Sequence, residues 1–367
     1  MTGKGGPGKG TGGAVQRNVT HPSNDCMWSS VRYAARHAPQ VYMFESVTGA
    51  FKIGREMMRA LRDELERISG CRYTLTAWLH DGCTMGAPTS RQRYMFVAVR
   101  GDEPFAVTPV ADYACEKFTT LRDAVEDLEN CESKWSVQSI PLDDVNKGGL
   151  WAHSRQNALQ TVDGFTSYNG PTWTGRIHRA LEAGVKYGVE WPQGRDFGFQ
   201  LRQLYQVGGR DALLEVESSN TEFVDRMIRI DFSLGPYATR REVYDAMHNL
   251  IAGGGTGGHL HPTRNRLMTY RELARVQGWP DDLLIDYDKA VFGKENIEAV
   301  WGKAVGCQVA NHAGEEVRDW LDAVTVGKTK GEKIGDREWL IDELDESRRL
   351  RRANAAAKKA AREGAAN

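Results

Sequence analysis

The 367-residue chain is long enough for two domains with their own cores, and its 40% hydrophobic, 9% aromatic and 26% charged residues are those of a water-soluble globular protein. A formal net charge of −1 removes any global electrostatic argument for nucleic acid, so such contact must come from local patches. No apolar run approaches the ~18 residues a membrane helix needs, and Met1-Thr2-Gly3-Lys4-Gly5-Gly6 lacks the apolar stretch of a secretory signal. Cys26, Cys71, Cys83, Cys115, Cys131 and Cys307 are scattered without a CxxC pair or zinc-ligand spacing. Reduced thiols in a cytoplasmic protein without a metal centre are the expectation.

In chain order, residues 1–25 are Gly-rich, polar and aperiodic, as in a flexible arm. Residues 26–130 carry an α/β pattern. A helix is expected over Met27–His37 and a short strand over Gln40–Glu45. Lys52–Ser69 places Ile53, Met57, Leu61, Leu65 and Ile68 on one helical face and stops at Gly70. Tyr73–Leu79 and Tyr94–Arg100 read as strands, and a crossover helix between strands implies a parallel, helix-covered sheet. Thr120–Asn130 is a further short helix. Residues 131–262 turn irregular, Gly-rich and aromatic, as expected of a smaller second domain. Over 263–325 helical patterning returns at Arg266–Leu284 and Gln308–Leu321. Residues 326–367 are highly charged and read as a solvated helix or frayed tail.

Four segments stand out. Phe44-Glu45-Ser46-Val47 closes a strand. Gly86-Ala87-Pro88-Thr89-Ser90-Arg91-Gln92-Arg93 runs into another. Arg266-Leu267-Met268-Thr269-Tyr270-Arg271-Glu272-Leu273-Ala274-Arg275-Val276-Gln277-Gly278-Trp279-Pro280 is the longest, and Gly302-Lys303-Ala304-Val305 follows it. In this order they resemble the later motifs of the cytosine-C5 DNA methyltransferases: Glu-Asn-Val, Gly-Val-Pro-Gln-x-Arg-x-Arg, Arg-x-Leu-Thr-x-Arg-Glu-x-Ala-Arg-Leu-Gln-Gly-Phe-Pro and Gly-Asn-Ala-Val. The third is specific, while Glu-Ser-Val or Arg-x-Arg alone is weak. The long gap before it is where that family keeps its target-recognition domain. The style of the N-terminal segment also resembles phage-encoded methylases.

The resemblance implies a partial Rossmann-like methyltransferase sheet plus a smaller, irregular target-recognition domain. It also implies double-stranded DNA as substrate and S-adenosylmethionine as cofactor. In that family a cysteine thiolate adds to C6 of a flipped-out cytosine so that C5 can attack the methyl group. Glu45 would then be the carboxyl group at the N3/N4 edge. Arg93 would face O2, and Arg91 would order Glu45 or a backbone phosphate. Gly302, Ala304 and Val305 would pack against the cofactor. Each assignment has a plainer competitor: a strand-end carboxylate usually caps a helix or pairs with a cation, and alternating arginines are commonly solvated.

The attacking sulfur is the difficulty. No Pro-Cys dipeptide occurs in the chain, and no strand followed by a Phe-x-Gly-x-Gly turn precedes Glu45. Cys26 opens a helix and reads as a structural, half-buried thiol. The chain therefore reads as the C-terminal part of a split or truncated enzyme that needs a complementing N-terminal polypeptide. The alternative is a catalytically inactive DNA-binding or regulatory relative. Gly8-Lys9-Gly10-Thr11 lacks the features of a phosphate loop, and His259-x-His261 lacks a third ligand at metal spacing. In the middle domain, Arg176, Arg179, Lys186, Arg195, Arg202 and Arg210 alternate with Trp173, Tyr187, Trp191, Phe197 and Tyr205. Those cations either hold phosphates, with Arg or Gln203 reading a base edge, or form the skin around an aromatic core.

Overall fold

The computed structural model describes residues 25–48, 55–102, 117–128, 173–217, 220–233, 239–248, 259–265, 268, 270–279, 304–325, 338–342 and 344–364. The chain divides into two compact units: residues 1–86, 91–116 and 308–350 form the first, and residues 87–90, 117–307 and 351–367 the second.

The first unit opens with helix α1 (Asp25–His37), which stops where Ala38 takes a positive φ ahead of Pro39. Strand β1 (Val41–Val47) follows, then helix α2 (Arg55–Ser69) and strand β2 (Tyr73–Asp81). Helix α2 ends at Gly70, whose φ of 69° suits the left-handed position and whose N–H closes on Glu66 O at 2.9 Å. Strand β3 (Gln92–Arg100) returns beside β2 after one turn of 3-10 helix at Gly82–Met85. Its central position explains its near-complete burial. Met57, Met58, Leu61 and Leu65 of α2 and Val31 and Ala35 of α1 cover one sheet face, packing on Tyr73, Leu75, Ala77, Leu79, Tyr94, Phe96 and Ala98. The cross-strand neighbours Phe44 and Phe96 stack at 4.6 Å between centroids.

The sheet corrects the expected parallel arrangement. Its order is β1-β3-β2 with strand β6 (Glu338–Asp342) outermost, and β3 runs antiparallel to both β1 and β2. The crossover through α2 does leave β1 and β2 pointing the same way. The link from β2 to β3, however, is too short for a crossover helix, so β3 inserts between them in the opposite sense. Among the described strands of this sheet, only β6 pairs with a neighbour in parallel, along Leu75–Leu79 of β2. A solvated helix or frayed tail was expected there. Instead the C-terminal segment supplies this strand and a helix whose Ser347 and Leu350 are fully buried.

Over the described residues within 173–229, the second unit is helical where the sequence leads to an expectation of irregular structure. Helix α3 (Leu121–Val125) begins with a capping box in which Thr120 and Asp123 each satisfy the other's backbone N–H. Helices α4 (Trp173–Tyr187), α5 (Phe197–Val216) and α6 (Thr221–Arg229) enclose a core of Ile177, Leu181, Trp191, Phe197, Leu201, Leu204, Leu213 and Met227. Asp196 and Asn220 cap α5 and α6, accepting from the N–H groups of Phe199 and Phe223. The glycines that suggested loops serve packing instead: a Cβ on Gly198 would sit 2.2 Å from Phe232 O, and Gly209 kinks α5 at φ 63°. Strands β4 (Arg240–Arg241) and β5 (His259–Leu260) pair in parallel, followed by helix α7 (Tyr270–Val276). Helices α8 (Cys307–Thr325) and α9 (Leu344–Gly364) complete the described elements.

Candidate active site

Antiparallel register brings the sequence-predicted acid and guanidinium together. Glu45 lies opposite Met95 and Val47 opposite Arg93, so Glu45 and Arg93 project from the same sheet face on a diagonal. Arg93 Nε pairs with Glu45 Oε1, with side chains 10% and 17% exposed. Arg93 Nη1 also donates to Gln92 O at 2.8 Å, which fixes the plane of the guanidinium. Burial pushes the Glu45 carboxyl above its ordinary range, while Arg93 and Arg91 pull the other way without cancelling the shift. Burial likewise lowers Arg93, opposed by Glu45. Arg91, only 2% exposed, falls to about 10 through burial and the adjacent Arg93 charge. Its guanidinium is within electrostatic reach of both Arg93 and Glu45.

The same face carries Trp78 and His80 from β2, with His80 opposite Arg93. Trp78 Nε1 donates to His80 Nδ1 at 2.8 Å, which leaves the imidazole proton on Nε2. Burial, with His312 of α8 at 5.7 Å between ring centroids, drives His80 down to about 3. It is thus a neutral wall of the site at physiological pH. At the end of β2, the buried Asp81 carboxylate accepts the backbone N–H of Arg91 at 2.5 Å and the Ser347 hydroxyl at 2.7 Å. No sequence motif singled out Asp81 or Ser347, because their pairing spans most of the chain.

In the second unit, the long sequence motif is built into the core. Leu273, Ala274, Val276 and Glu272 of α7 are buried. The loop before it is organised by buried Arg241, which donates to His261 O at 2.8 Å, Arg264 O at 2.7 Å and Asn265 Oδ1 at 2.7 Å. His261 stands 3.5 Å from Glu272, and His259 Nδ1 lies 3.0 Å from Glu242. The two histidines therefore serve two different buried carboxylates.

Spacing did not reveal a group that joins His248 to His259 and Glu242. A His248 nitrogen, one from His259 and a Glu242 oxygen lie within 4.8 Å of one another, all buried. The fold alone assembles this group, since Glu242, His248 and His259 share no regular spacing. Burial opposes the Glu242 charge, but His248, His259 and the ammonium of Lys358 together hold its pKa below the usual carboxylate range. Lys358 is half-buried and within electrostatic reach of Glu242, with its pKa lowered by burial. A dication would have to displace or neutralise that ammonium, so the cluster has the chemistry of an internal ion network.

The cations expected to read DNA are engaged within their own unit. Arg176 pairs with Glu217 at 2.9 Å, Lys186 with Glu215 at 2.6 Å, Arg202 with Asp231 at 2.9 Å and Arg210 with Asp225 at 2.8 Å. Arg179 donates to Val216 O at 2.6 Å and Arg195 to Arg362 O at 3.2 Å. Trp191 and Phe197 are core residues, and Tyr187 hydrogen-bonds Glu215 at 2.9 Å. The side chain of Trp173 lies outside the described residues. Residue by residue, the reading of a charged skin over an aromatic core fits better than an array of free phosphate clamps.

Among the described thiols, Cys83 is buried and Cys26 is exposed, which corrects the half-buried placement expected for Cys26. Its helix opens on Asp25, so the residue starts the first turn and faces solvent. Cys115, Cys131, the Gly-rich arm over 1–24, the first part of the middle domain and Gly302 lie outside the described residues. Ala304 and Val305 are half-buried, just before Cys307, whose N–H donates to Gln277 O at 3.0 Å.

The profile of the family described as C-5 cytosine-specific DNA methylase matches residues 11–319. Type II methyltransferase M.DdeI of Desulfomicrobium norvegicum is 26% identical over 319 residues, covering 84% of this chain and 70% of that protein. DNA (cytosine-5-)-methyltransferase M.ApeKI of Aeropyrum pernix is 24% identical, covering 80% and 74%. Type II methyltransferase M.NgoPII of Neisseria gonorrhoeae is 21% identical, covering 83% and 72%. The chain belongs to the C-5 cytosine-specific DNA methylase family.

Proposed function

We propose that this chain carries the base-polarising and target-reading part of a DNA (cytosine-5)-methyltransferase acting on double-stranded DNA. The observation that supports this most is the largely buried Glu45–Arg93 pair, with Arg91 close enough to act on both. A cytosine turned out of the duplex would place its N3 edge at Glu45 and its O2 at Arg93. As a thiolate adds to C6, negative charge moves onto the ring. Protonated Glu45 donates at N3, and Arg93 stabilises the charge at O2. When Arg93 turns toward O2 it leaves Glu45, whose carboxyl then loses its main stabilising cation. Base entry thus favours the protonated acid that the reaction needs.

S-adenosylmethionine supplies the methyl group in this scheme. Ala304 and Val305, together with Gly302, form the segment assigned to it. The apolar, half-buried Ala304 and Val305, close to the Cys307–Gln277 bond, fit packing against an adenosyl group.

The thiol and the cofactor loop come, in this reading, from a complementing N-terminal polypeptide. Two observations support it. No Pro-Cys dipeptide occurs in the sequence. Among the described residues, β1 pairs on one side only, and its Val41-Tyr42-Met43-Phe44 stretch is only half-buried, whereas β2 is buried throughout. An edge strand with four consecutive apolar residues is the kind that another strand or cover normally protects. The absent dipeptide equally favours an inactive DNA-binding relative, and one experiment separates the two. Labelled S-adenosylmethionine and duplex DNA are incubated with the chain alone and with an added N-terminal methyltransferase segment. Methyl transfer only in the mixture supports the split enzyme. Salt-dependent DNA binding without transfer in either case supports the inactive relative, and turnover by the chain alone defeats both.

A further inference from the structure

We propose that Asp81, held by Ser347 of the C-terminal helix, is a positioning residue that sets the Arg91–Arg93 segment against Glu45. The proposal rests on the reading of Glu45 and Arg93 as the base-facing pair, and it adds two residues that no motif contains. Asp81 is completely buried at the end of β2. Its Oδ1 accepts the Arg91 N–H at 2.5 Å and lies 3.5 Å from the Cys83 N–H, while Oδ2 accepts the Ser347 hydroxyl at 2.7 Å. Arg91 O accepts from Gly82 N at 3.2 Å, so the residue is held at both backbone groups. Gln92 Nε2 reaches Ser347 Oγ at 3.5 Å, and Thr84 Oγ1 donates to Asp81 O at 2.7 Å.

Arg91 is the last residue before β3, and Arg93 is its second. Whatever fixes the backbone at Arg91 therefore fixes where the Arg93 guanidinium begins its reach toward Glu45. Charge-assisted acceptance by a buried carboxylate is a strong way to do so, and the hydroxyl of fully buried Ser347 holds that carboxylate in turn. The strand β6 just upstream of Ser347 pairs with β2 in the same unit, which keeps the serine in register with Asp81. Misplacing a catalytic group by about 1 Å can lower a rate by roughly 100-fold, so this brace matters more to turnover than to binding.

The test uses Ser347→Ala, Ser347→Thr, Asp81→Asn and the Asp81→Asn/Ser347→Ala double variant in the full chain, with and without the complementing segment. In the chain alone, amide hydrogen exchange across residues 82–93 should quicken in Ser347→Ala and Asp81→Asn, and Ser347→Thr should restore protection. In the complemented enzyme, kcat should fall about 5- to 10-fold for Ser347→Ala and roughly 100-fold for Asp81→Asn, with KM for DNA within about 2-fold. The double variant should be no worse than Asp81→Asn, because Ser347 acts through Asp81. Unchanged exchange across 82–93 would overturn the proposal, as would additive losses or a rise in KM at constant kcat. Glu45→Gln run in parallel separates the two levels: if it keeps full turnover, the base-facing assignment has failed rather than the brace.

Discussion

Arg93 and Glu45 stand on a diagonal of one antiparallel ladder, and their side chains close into a largely buried ion pair. A pair so placed is poor evidence of stability, since desolvating both charges offsets most of their attraction. In the proposed mechanism it serves instead as an acid and its removable counter-ion.

That pairing has a measurable consequence for pH. Burial raises the Glu45 carboxyl above its ordinary range, and in the proposed mechanism its protonated form is the proton donor. In the complemented enzyme, kcat should therefore hold at lower pH and fall as pH rises through the raised pKa. Glu45→Gln should lose about 100-fold or more in kcat and abolish that alkaline limb, with DNA affinity within roughly 3-fold. Arg93→Ala should cost about 100- to 1000-fold. A pH–rate profile of Glu45→Gln that still shows the limb would assign the titration to another group.

The paired cations of the second unit lead to a negative expectation. Arg210 already engages Asp225, with both side chains about half exposed. Arg210→Ala should leave the slope of log Kd against log salt nearly unchanged. A phosphate-bound arginine would remove about 0.9 from that slope. Fluorescence anisotropy at several salt concentrations decides between the two.

Acid should unfold the protein through buried neutral histidines. His80 is depressed to about 3 and His178 to about 4, both chiefly by burial. A depressed histidine stabilises the fold while pH stays above its unfolded value and loses that contribution as pH falls toward the folded one. Between pH 6.5 and pH 5 each should forfeit about 2 kcal/mol. Denaturant melts of His178→Asn should show a shallower loss of stability over this window than the parent, and an identical slope would dismiss His178 as a contributor.

The close approach at Gly198 provides a packing test. A Cβ there meets the Phe232 carbonyl oxygen at 2.2 Å, and a backbone atom cannot swing aside as a side chain can. Gly198→Ala should destabilise by about 2 kcal/mol or more. Thermal unfolding within error of the parent would show that α5 can shift.

The sequence carried the local elements and the chemical types of the site. Apolar spacing at Met57, Leu61 and Leu65 marked α2, Gly70 its end, and the Arg91-x-Arg93 alternation put Arg93 on a strand with Arg91 just before it. Covalent spacing along one chain segment is enough for such patterns, because helix and strand periodicities are local. What the sequence could not decide was which segments meet. The insertion of β3 between β1 and β2 set the Glu45–Arg93 diagonal, and the fold gathered Glu242, His248 and His259 into one buried cluster. It likewise paired each candidate DNA cation with a partner in its own unit and brought Ser347 to Asp81 across most of the chain. These are contacts between distant residues, selected by burial and by the need to satisfy every desolvated charge, and no local pattern encodes them.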